Sequence, residues 1–317
     1  HNMRVAYLGP PGTFSEEALG LCDLTGDAEG VDFPTIADAF EAAARGVCDA
    51  ALLPIENSLE GAVTATLDLL VHRPSLRIRR EVFLPVRQNL LVQPGTKLED
   101  IKKIVSIPIA LAQCQGFLRS RLAGVPFEHA ASTADAARLA GREAGVAAIA
   151  SRAAAQRYEL ALLHEGIQDG EGNVTRFVLV MREDERPTAK DRTSIAFTLD
   201  RDRPGGLYEV MGEFARRGIN LSKIESRPNR QALGHYIFFL DFEVRGFKEA
   251  KFIDMGIESQ IGNQTDVLAF RGADGTDTGV LRGVDVAHGE TGAFTGNTTG
   301  AHDGETTKVI DLGEGVD

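Results

Sequence analysis

From Arg4 to Met181 short apolar runs alternate with segments of helical spacing, and this alternation limits the possible folds more than any other feature of the chain. Arg4 to Gly9 reads as a strand that feeds a Gly-rich turn, with a helix from about Ser15. Ala50 to Ile55 reads as a second buried strand, followed by a helix that sets Leu59, Val63, Leu67 and Leu70 on one face. A β stretch from Arg77 to Gln93 opens a second lobe. That lobe holds a helix over Leu111, Cys114, Leu118 and Leu122, an Ala-rich helix after Thr133, and a strand at Val146 to Ala150. Phe177 to Met181 returns to the first lobe. The expected class is α/β, with lobe 1 at about 3–75 and 160–181 and lobe 2 at about 76–159. Two such lobes with strands crossing between them imply a cleft, where α/β proteins bind ligands.

The pattern changes after a charged, Pro-bearing segment at 182–192, which reads as a linker. Ile195, Phe197 and Leu199 alternate with Ser194, Ala196 and Thr198, the signature of a half-buried strand. Leu207, Val210, Met211 and Phe214 follow helical spacing after Pro204, a suitable first helical residue. Strands at Asn220 to Arg227 and His235 to Val244 then give β-α-β-β, most of a ferredoxin-like βαββαβ unit spanning 193–271. The closing helix and strand are expected between Phe247 and Phe270. Phe197, Phe238 and Phe242 are assigned to the core of this unit. Residues 272–317 are rich in Gly, Thr and Asp, with single apolar residues between them. Such a composition buries too little surface to offset its ordering entropy, so disorder is expected, with a short β-rich extension as the alternative.

A chain of 317 residues, 43% hydrophobic, can bury cores for two or three domains. Its formal charge of −12 excludes a nucleic-acid partner, because no basic stripe outweighs that field. Cys22, Cys48 and Cys114 share no CxxC spacing and sit in apolar segments, so they are expected to be reduced core residues. No apolar run approaches the roughly 18 residues of a membrane span, and no signal peptide is expected ahead of the first strand. A cytoplasmic location, with no membrane partner, is the expectation.

Three motifs carry the chemistry. Gly9-Pro10-Pro11-Gly12-Thr13-Phe14-Ser15-Glu16 joins a strand to a helix, with Thr13 and Glu16 spaced as a capping box. This is either a plain, well-capped junction or an anion site made from free backbone N–H groups. Pro54-Ile55-Glu56-Asn57-Ser58 repeats the geometry, with Ser58 expected to cap the next helix, and Thr133 is expected to do the same in Ala131-Ser132-Thr133-Ala134-Asp135. Gly172-Asn173-Val174-Thr175-Arg176-Phe177 sets a hydroxyl and a guanidinium side by side at a strand mouth, which suits a small anion that must lose an oxygen. There is no HExxH, Walker A loop, paired Cys cluster or GxSxG elbow, and Gly9 to Gly12 is not GxGxxG. The expected reaction uses neither metal nor cofactor.

In this order the motifs resemble those of the prephenate dehydratase family, over about residues 4–244. The resemblance implies a two-lobed α/β catalytic domain at 3–181, similar to type II solute-binding proteins. It implies conversion of prephenate to phenylpyruvate, carbon dioxide and water on the route to L-phenylalanine. The family's essential threonine falls on Thr175, and its substrate-binding motifs fall on Thr13, Phe14, Ser15, Asn57, Ser58 and Gln113. Thr133 joins these by its place at a helix start, and Phe177 as an apolar wall. Arg176 is either a partner for the pyruvyl carboxylate or half of a structural ion pair facing away. Many members carry His-Pro-Gln where this chain has Ile107-Pro108-Ile109, so no role passes from that His or Gln.

Residues 193–244 resemble an ACT domain. Gly205-Gly206-Leu207-Tyr208 stands for G-A-L-V, and Glu225-Ser226-Arg227-Pro228 matches E-S-R-P. The resemblance implies L-phenylalanine held between two such domains by Gly205, Gly206, Leu207, Asn220, Leu221, Ser222, Glu225, Ser226, Arg227 and Pro228. It also implies product inhibition and a dimer or tetramer. The family's closing L-G-S-Y-P is missing. An arogenate dehydratase, or a non-catalytic binding or sensor protein, is the alternative.

Overall fold

A computed structural model describes residues 2–22, 24, 27–73, 76–182, 191–198, 204–216, 220–228 and 236–244, and short strands at 250–252, 267–271, 278–282, 293–294 and 310–311. The chain divides into two compact units, 1–66 with 82–178, and 67–81 with 179–317. Among the described residues no helix is long and apolar enough to cross a membrane.

The chain begins β1 (Met3–Leu8), α1 (Phe14–Leu19), β2 (Ala28–Phe33), α2 (Ile36–Ala44), β3 (Ala50–Asn57), β4 (Gly61–Ala62), α3 (Thr64–His72) and β5 (Arg77–Pro85). It continues with β6 (Asn89–Val92), β7 (Lys103–Ser106), α4 (Pro108–Ala112), α5 (Gln115–Arg121), β8 (Phe127–His129) and α6 (Thr133–Arg142). Next come β9 (Val146–Ala150), α7 (Arg152–Arg157), β10 (Ala161–His164) and β11 (Val174–Met181). The first sheet has the order β2-β1-β3-β11-β5, and the second β10-β6-β9-β7-β8. β1 pairs in parallel with both β2 and β3, which forces crossover connections through α1 and α2. Thr35 starts α2 by accepting a bond from the Asp38 N–H at 3.0 Å, and the helix buries Ala39, Phe40, Ala42 and Ala43.

The second sheet is built around β9, every residue of which is buried. On one face the small Ala136, Ala137 and Ala140 of α6 let the helix approach Val105 and Ala148 closely. On the other, Leu111, Cys114, Leu118 and Leu122 pack on Ile104, Ala147 and Ile149. Each such Leu or Ile contributes about 1.5–3 kcal/mol by leaving water. The apolar face expected here is real, but its helix breaks in two at Gln113 and Cys114.

Two lobe boundaries move. β5, expected to open the second lobe, joins the first sheet, and β10, expected with the first lobe, joins the second. Apolar alternation marks a strand without saying which sheet it enters, so the crossovers fall later, at 86–88 and 165–173. They meet where the Val86 N–H donates to the Asn173 carbonyl at 2.7 Å. The helix expected to start at Ser58 is also displaced. The chain first doubles back as β4, with Asn57 opposite Gly61, and α3 begins only at Thr64.

The other unit holds β12 (Asp191–Thr198), α8 (Gly206–Arg216), β13 (Leu221–Pro228), β14 (Tyr236–Val244), β15 (Ala250–Phe252), β16 (Val267–Arg271), β17 (Thr278–Arg282), β18 (Ala293–Phe294) and β19 (Ile310–Asp311). Its main sheet runs β13-β14-β12-β16-β17. The first four of these are the second, third, first and fourth strands of a ferredoxin-like unit. Phe214 of α8 packs on Phe242 of β14 with ring centroids 5.3 Å apart, and Phe242 is buried as expected. Phe238 is half-buried, and the side chain of Phe197 lies outside the described residues. The same holds for residues 183–190 of the linker and for 253–266, where the closing helix is expected. Within 272–317 β17, β18 and β19 are paired strands and not disordered chain, and the remaining residues lie outside the described ones.

Candidate active site

Thr175 is half-buried at the start of β11, and three segments converge on it. The Asn57 Nδ2 donates to Thr175 Oγ1 at 2.9 Å and to Asn173 Oδ1 at 2.8 Å. The Asn57 Oδ1 accepts from the N–H groups of Leu59 and Glu60 at 2.9 and 3.0 Å, an Asx turn that shapes the β3–β4 hairpin. Every hydrogen-bonding position of this amide is therefore used within the protein. Asn57, expected as a donor to substrate, instead donates to the threonine, and Thr175 keeps its own hydrogen to give. Ser58, expected as a helix cap, clamps the loop ahead of Thr175. Its hydroxyl donates to the Gly172 carbonyl at 2.7 Å and accepts from the Val174 N–H at 2.8 Å. Strand alternation places Thr175 and Phe177 on one face and Arg176 on the other. Arg176, on that opposite face, is only 2% exposed.

A cavity of about 680 Å³ opens at the edge of the first sheet where β1 and β2 end. Thr13, Phe14 and Ser15 wall it from one side, Asp32 and Phe33 from the end of β2, and Ser132, Thr133 and Asp135 from the start of α6. Because β1 and β3 run parallel, the loops carrying Thr13 and Asn57 leave the sheet at one edge. Four expected residues line the cavity; Thr175, Asn57 and Ser58 form the separate cluster. Among the described residues no Lys or Arg lines the cavity. The cap of α6 is Ser132, one residue before the expected Thr133, and accepts from the Asp135 N–H at 3.0 Å. The capping box expected for α1 does not form. Thr13 donates to the Leu8 carbonyl at 3.2 Å, and the Glu16 carboxylate turns to Tyr7, Gly12 and Arg157.

Gln113 sits at the break between α4 and α5. Its Oε1 accepts from Gln88 Nε2 at 3.3 Å, and its carbonyl accepts from the Asp169 N–H at 2.7 Å. Asp169 in turn starts α5 by accepting from the N–H groups of Gln115 and Gly116. Burial, with the Asp169 charge adding, pushes the Cys114 thiol up to about 12, so it is inert near neutrality. The sequence reading missed Asn173, although it lies inside the Thr175 motif. It also missed Asp169, which no local pattern marks.

In the other unit Gly205 stands just before α8 at φ +85°, and apart from its chain neighbours no described atom lies within 4 Å of where a Cβ would sit. Along β13 the exposed Ser222, Ser226 and Pro228 alternate with the half-buried Leu221, Glu225 and Arg227, and Asn220 is exposed. The Arg227 guanidinium makes a bidentate pair with Asp68 of α3, Nη2 to Oδ2 at 2.9 Å and Nε to Oδ1 at 3.2 Å. These bonds raise the Arg227 pKa further.

Residues 5–185 match the family model for prephenate dehydratase, and residues 193–250 match that for the ACT domain. The prephenate dehydratase of Bacillus subtilis (strain 168) is 39% identical over 253 residues, 76% of this chain and 88% of that protein. That of Mycobacterium tuberculosis (strain H37Rv) is 41% identical over 249 residues, 75% of this chain and 77% of the other. The crystal structure of the Arthrobacter aurescens prephenate dehydratase in complex with L-Phe shares 40% identity and a TM-score of 0.70, covering 78% of this chain and 82% of that one. By its motifs, its two domain matches and these relatives, the chain belongs to the prephenate dehydratase family.

Proposed function

We propose that this chain converts prephenate to phenylpyruvate, with Thr175 as the group at the leaving oxygen. The ring carboxylate departs as carbon dioxide, and its bonding pair becomes part of the new aromatic ring. The C4–O bond breaks, and hydroxide plus a proton leaves as water. The observation that carries this reading is the Asn57 to Thr175 bond at 2.9 Å. A hydroxyl that accepts from an amide is oriented to donate elsewhere, here to the departing oxygen. A threonine hydroxyl is a very weak acid, so its part is hydrogen-bond donation or relay. Asn57, Ser58 and Asn173 act on Thr175 and not on the substrate. Thr13, Phe14, Ser15 and Thr133 receive the body of the substrate in the cavity, with Gln113 supporting the second lobe. No cofactor or metal takes part in this scheme.

One observation favours a second substrate. Asp32 lines the cavity, and arogenate carries an ammonium group that a carboxylate attracts. Phenylalanine acts as inhibitor at Gly205 to Leu207 and Asn220 to Pro228, between paired copies of that domain in a dimer or tetramer. The relative solved with L-Phe and the ACT match support this part. The test is turnover of purified protein on prephenate and on arogenate, with and without L-phenylalanine, followed by absorbance of phenylpyruvate or release of phenylalanine. Turnover of prephenate that falls as phenylalanine is added supports the reading. Binding of phenylalanine without turnover of either substrate defeats it in favour of a sensor.

A further inference from the structure

Glu16 lies one residue beyond the cavity wall, and its carboxylate gathers groups from three elements. It accepts from the Tyr7 hydroxyl at 2.8 Å, from the Gly12 N–H at 3.3 Å, and from Arg157 Nε and Nη2 at 3.3 and 3.0 Å. Burial and the Glu16 bond push the Tyr7 phenol up, so it stays a donor at neutral pH. The same turn is held twice more from α7. The Tyr158 hydroxyl donates to the Pro11 carbonyl at 3.0 Å, and Ser151 Oγ donates to the Gly12 carbonyl at 2.9 Å. The fit is close. Gly12 has φ +91°, and a Cβ there would lie 3.1 Å from Tyr158 Cε2 and 3.2 Å from the Ala154 Cα.

We infer that Glu16, Arg157 and Tyr158 are positioning residues that fix the Thr13–Ser15 wall of the cavity. The two walls belong to chain segments joined covalently only through the crossovers at 86–88 and 165–173. Thr13, Phe14 and Ser15 follow directly from the turn that α7 holds, and Ser132 and Thr133 stand across the cavity. The first loop's own bonds, Thr13 to Leu8 and Tyr7 to Glu16, tie it to β1, whereas the bonds from α7 tie it to the lobe that carries α6. The Arg157 and Glu16 side chains are 45% and 23% exposed, and pairs so exposed contribute little to stability. A displaced wall, by contrast, weakens substrate binding directly.

The test uses Arg157→Ala, Tyr158→Phe and the double variant of the full chain. Two readouts are taken: steady-state turnover of prephenate, and amide hydrogen exchange of the 9–20 segment in unliganded protein. The expected result is a KM raised about fivefold by Arg157→Ala and about tenfold or more by the double variant, with kcat within about twofold. Exchange in 9–20 should quicken, the melting temperature should fall by under about 5 °C, and Arg157→Lys should recover part of the KM. An unchanged KM with unchanged exchange in the double variant overturns the inference, and so does a loss confined to kcat. The kinetic arm rests on the dehydratase reading. A wild-type protein inert toward prephenate defeats that reading alone and leaves hydrogen exchange to decide this one.

Discussion

The Thr175 cluster and the Thr13–Ser15 wall lie at one edge of one sheet, yet they are held in opposite ways. Around Thr175 the polar atoms of Asn57 are satisfied by side chains and backbone within the cluster itself, leaving one hydroxyl hydrogen to act. The wall is held from its rim, by Glu16 and by α7, while its own side chains face the cavity. The reacting group is thus fixed at close range and the receiving surface at a distance. Damage to the first should fall on kcat, and damage to the second on KM.

The largest effect should come from Thr175→Ala, with kcat at least a hundredfold lower, about 2.7 kcal/mol in barrier, and KM within about threefold. A fall in kcat of less than tenfold would take Thr175 out of the reaction. Asn57→Asp should come close behind despite its nearly identical shape. A carboxylate in place of the amide accepts where Asn57 donated, so Thr175 turns its hydrogen to the new carboxylate and away from substrate. A kcat loss of about thirtyfold or more is expected for Asn57→Asp, and a smaller one for Asn57→Ala, which leaves the hydroxyl free. If the alanine variant proves the worse of the two, the amide acts on substrate after all and the contrast between cluster and wall fails.

How much of this arrangement could be read from residues alone follows the same division. The strand–turn–helix order and the place of Thr175 are visible because they rest on local apolar runs and one compact motif. The cap assignments at Ser58 and Thr133 fail because a cap depends on where the helix starts, which the β4 hairpin decides at Ser58 and a shift of one residue decides at Ser132. At Thr13 the helix starts as expected, but the box is lost because the Glu16 carboxylate turns to Tyr7, Gly12 and Arg157, the last 141 residues away. Arg176 looks like a neighbour of Thr175 in a string of letters, but a strand turns adjacent residues to opposite faces. Lobe boundaries were displaced for a related reason, since β5 and β10 carry no mark of the sheet they join.

The next effect concerns the other unit, where Arg227 is held as Thr175 is, by a side chain from a distant segment. Its two bonds to Asp68 tie β13 to α3, the helix that follows the Asn57 hairpin in the chain. Arg227→Ala is expected to weaken inhibition by phenylalanine about fivefold while uninhibited kcat stays within about twofold, as for a coupling of ordinary size between sites. Asp68→Asn should show the same sign and a smaller size, because the amide keeps one acceptor. The two substitutions should be strongly non-additive, since each removes the same pair. An inhibition curve that neither variant moves would make the pair a matter of stability only.

The smallest effect separates the wall from the core behind the second lobe. Cys22 follows α1, the helix that continues the wall, and is half-buried, whereas Cys48 and Cys114 are 1% and 0% exposed. Burial raises the pKa of the Cys48 thiol and takes that of Cys114 up to about 12, so at pH 8 the Cys114 thiol stays protonated. Since the thiolate is the attacking species, an aromatic disulfide reagent at pH 8 should label Cys22 in the native protein and the other two only on unfolding. Turnover should change by less than about twofold, because Cys22 is not among the described residues that line the cavity. Rapid labelling of Cys114 in native protein would mean that the α4–α5 layer opens readily. Gln113 and the Asp169 cap could not then be a fixed backing for the second lobe, and the difference between a closely held centre and a rim-held wall would extend to the whole of that layer.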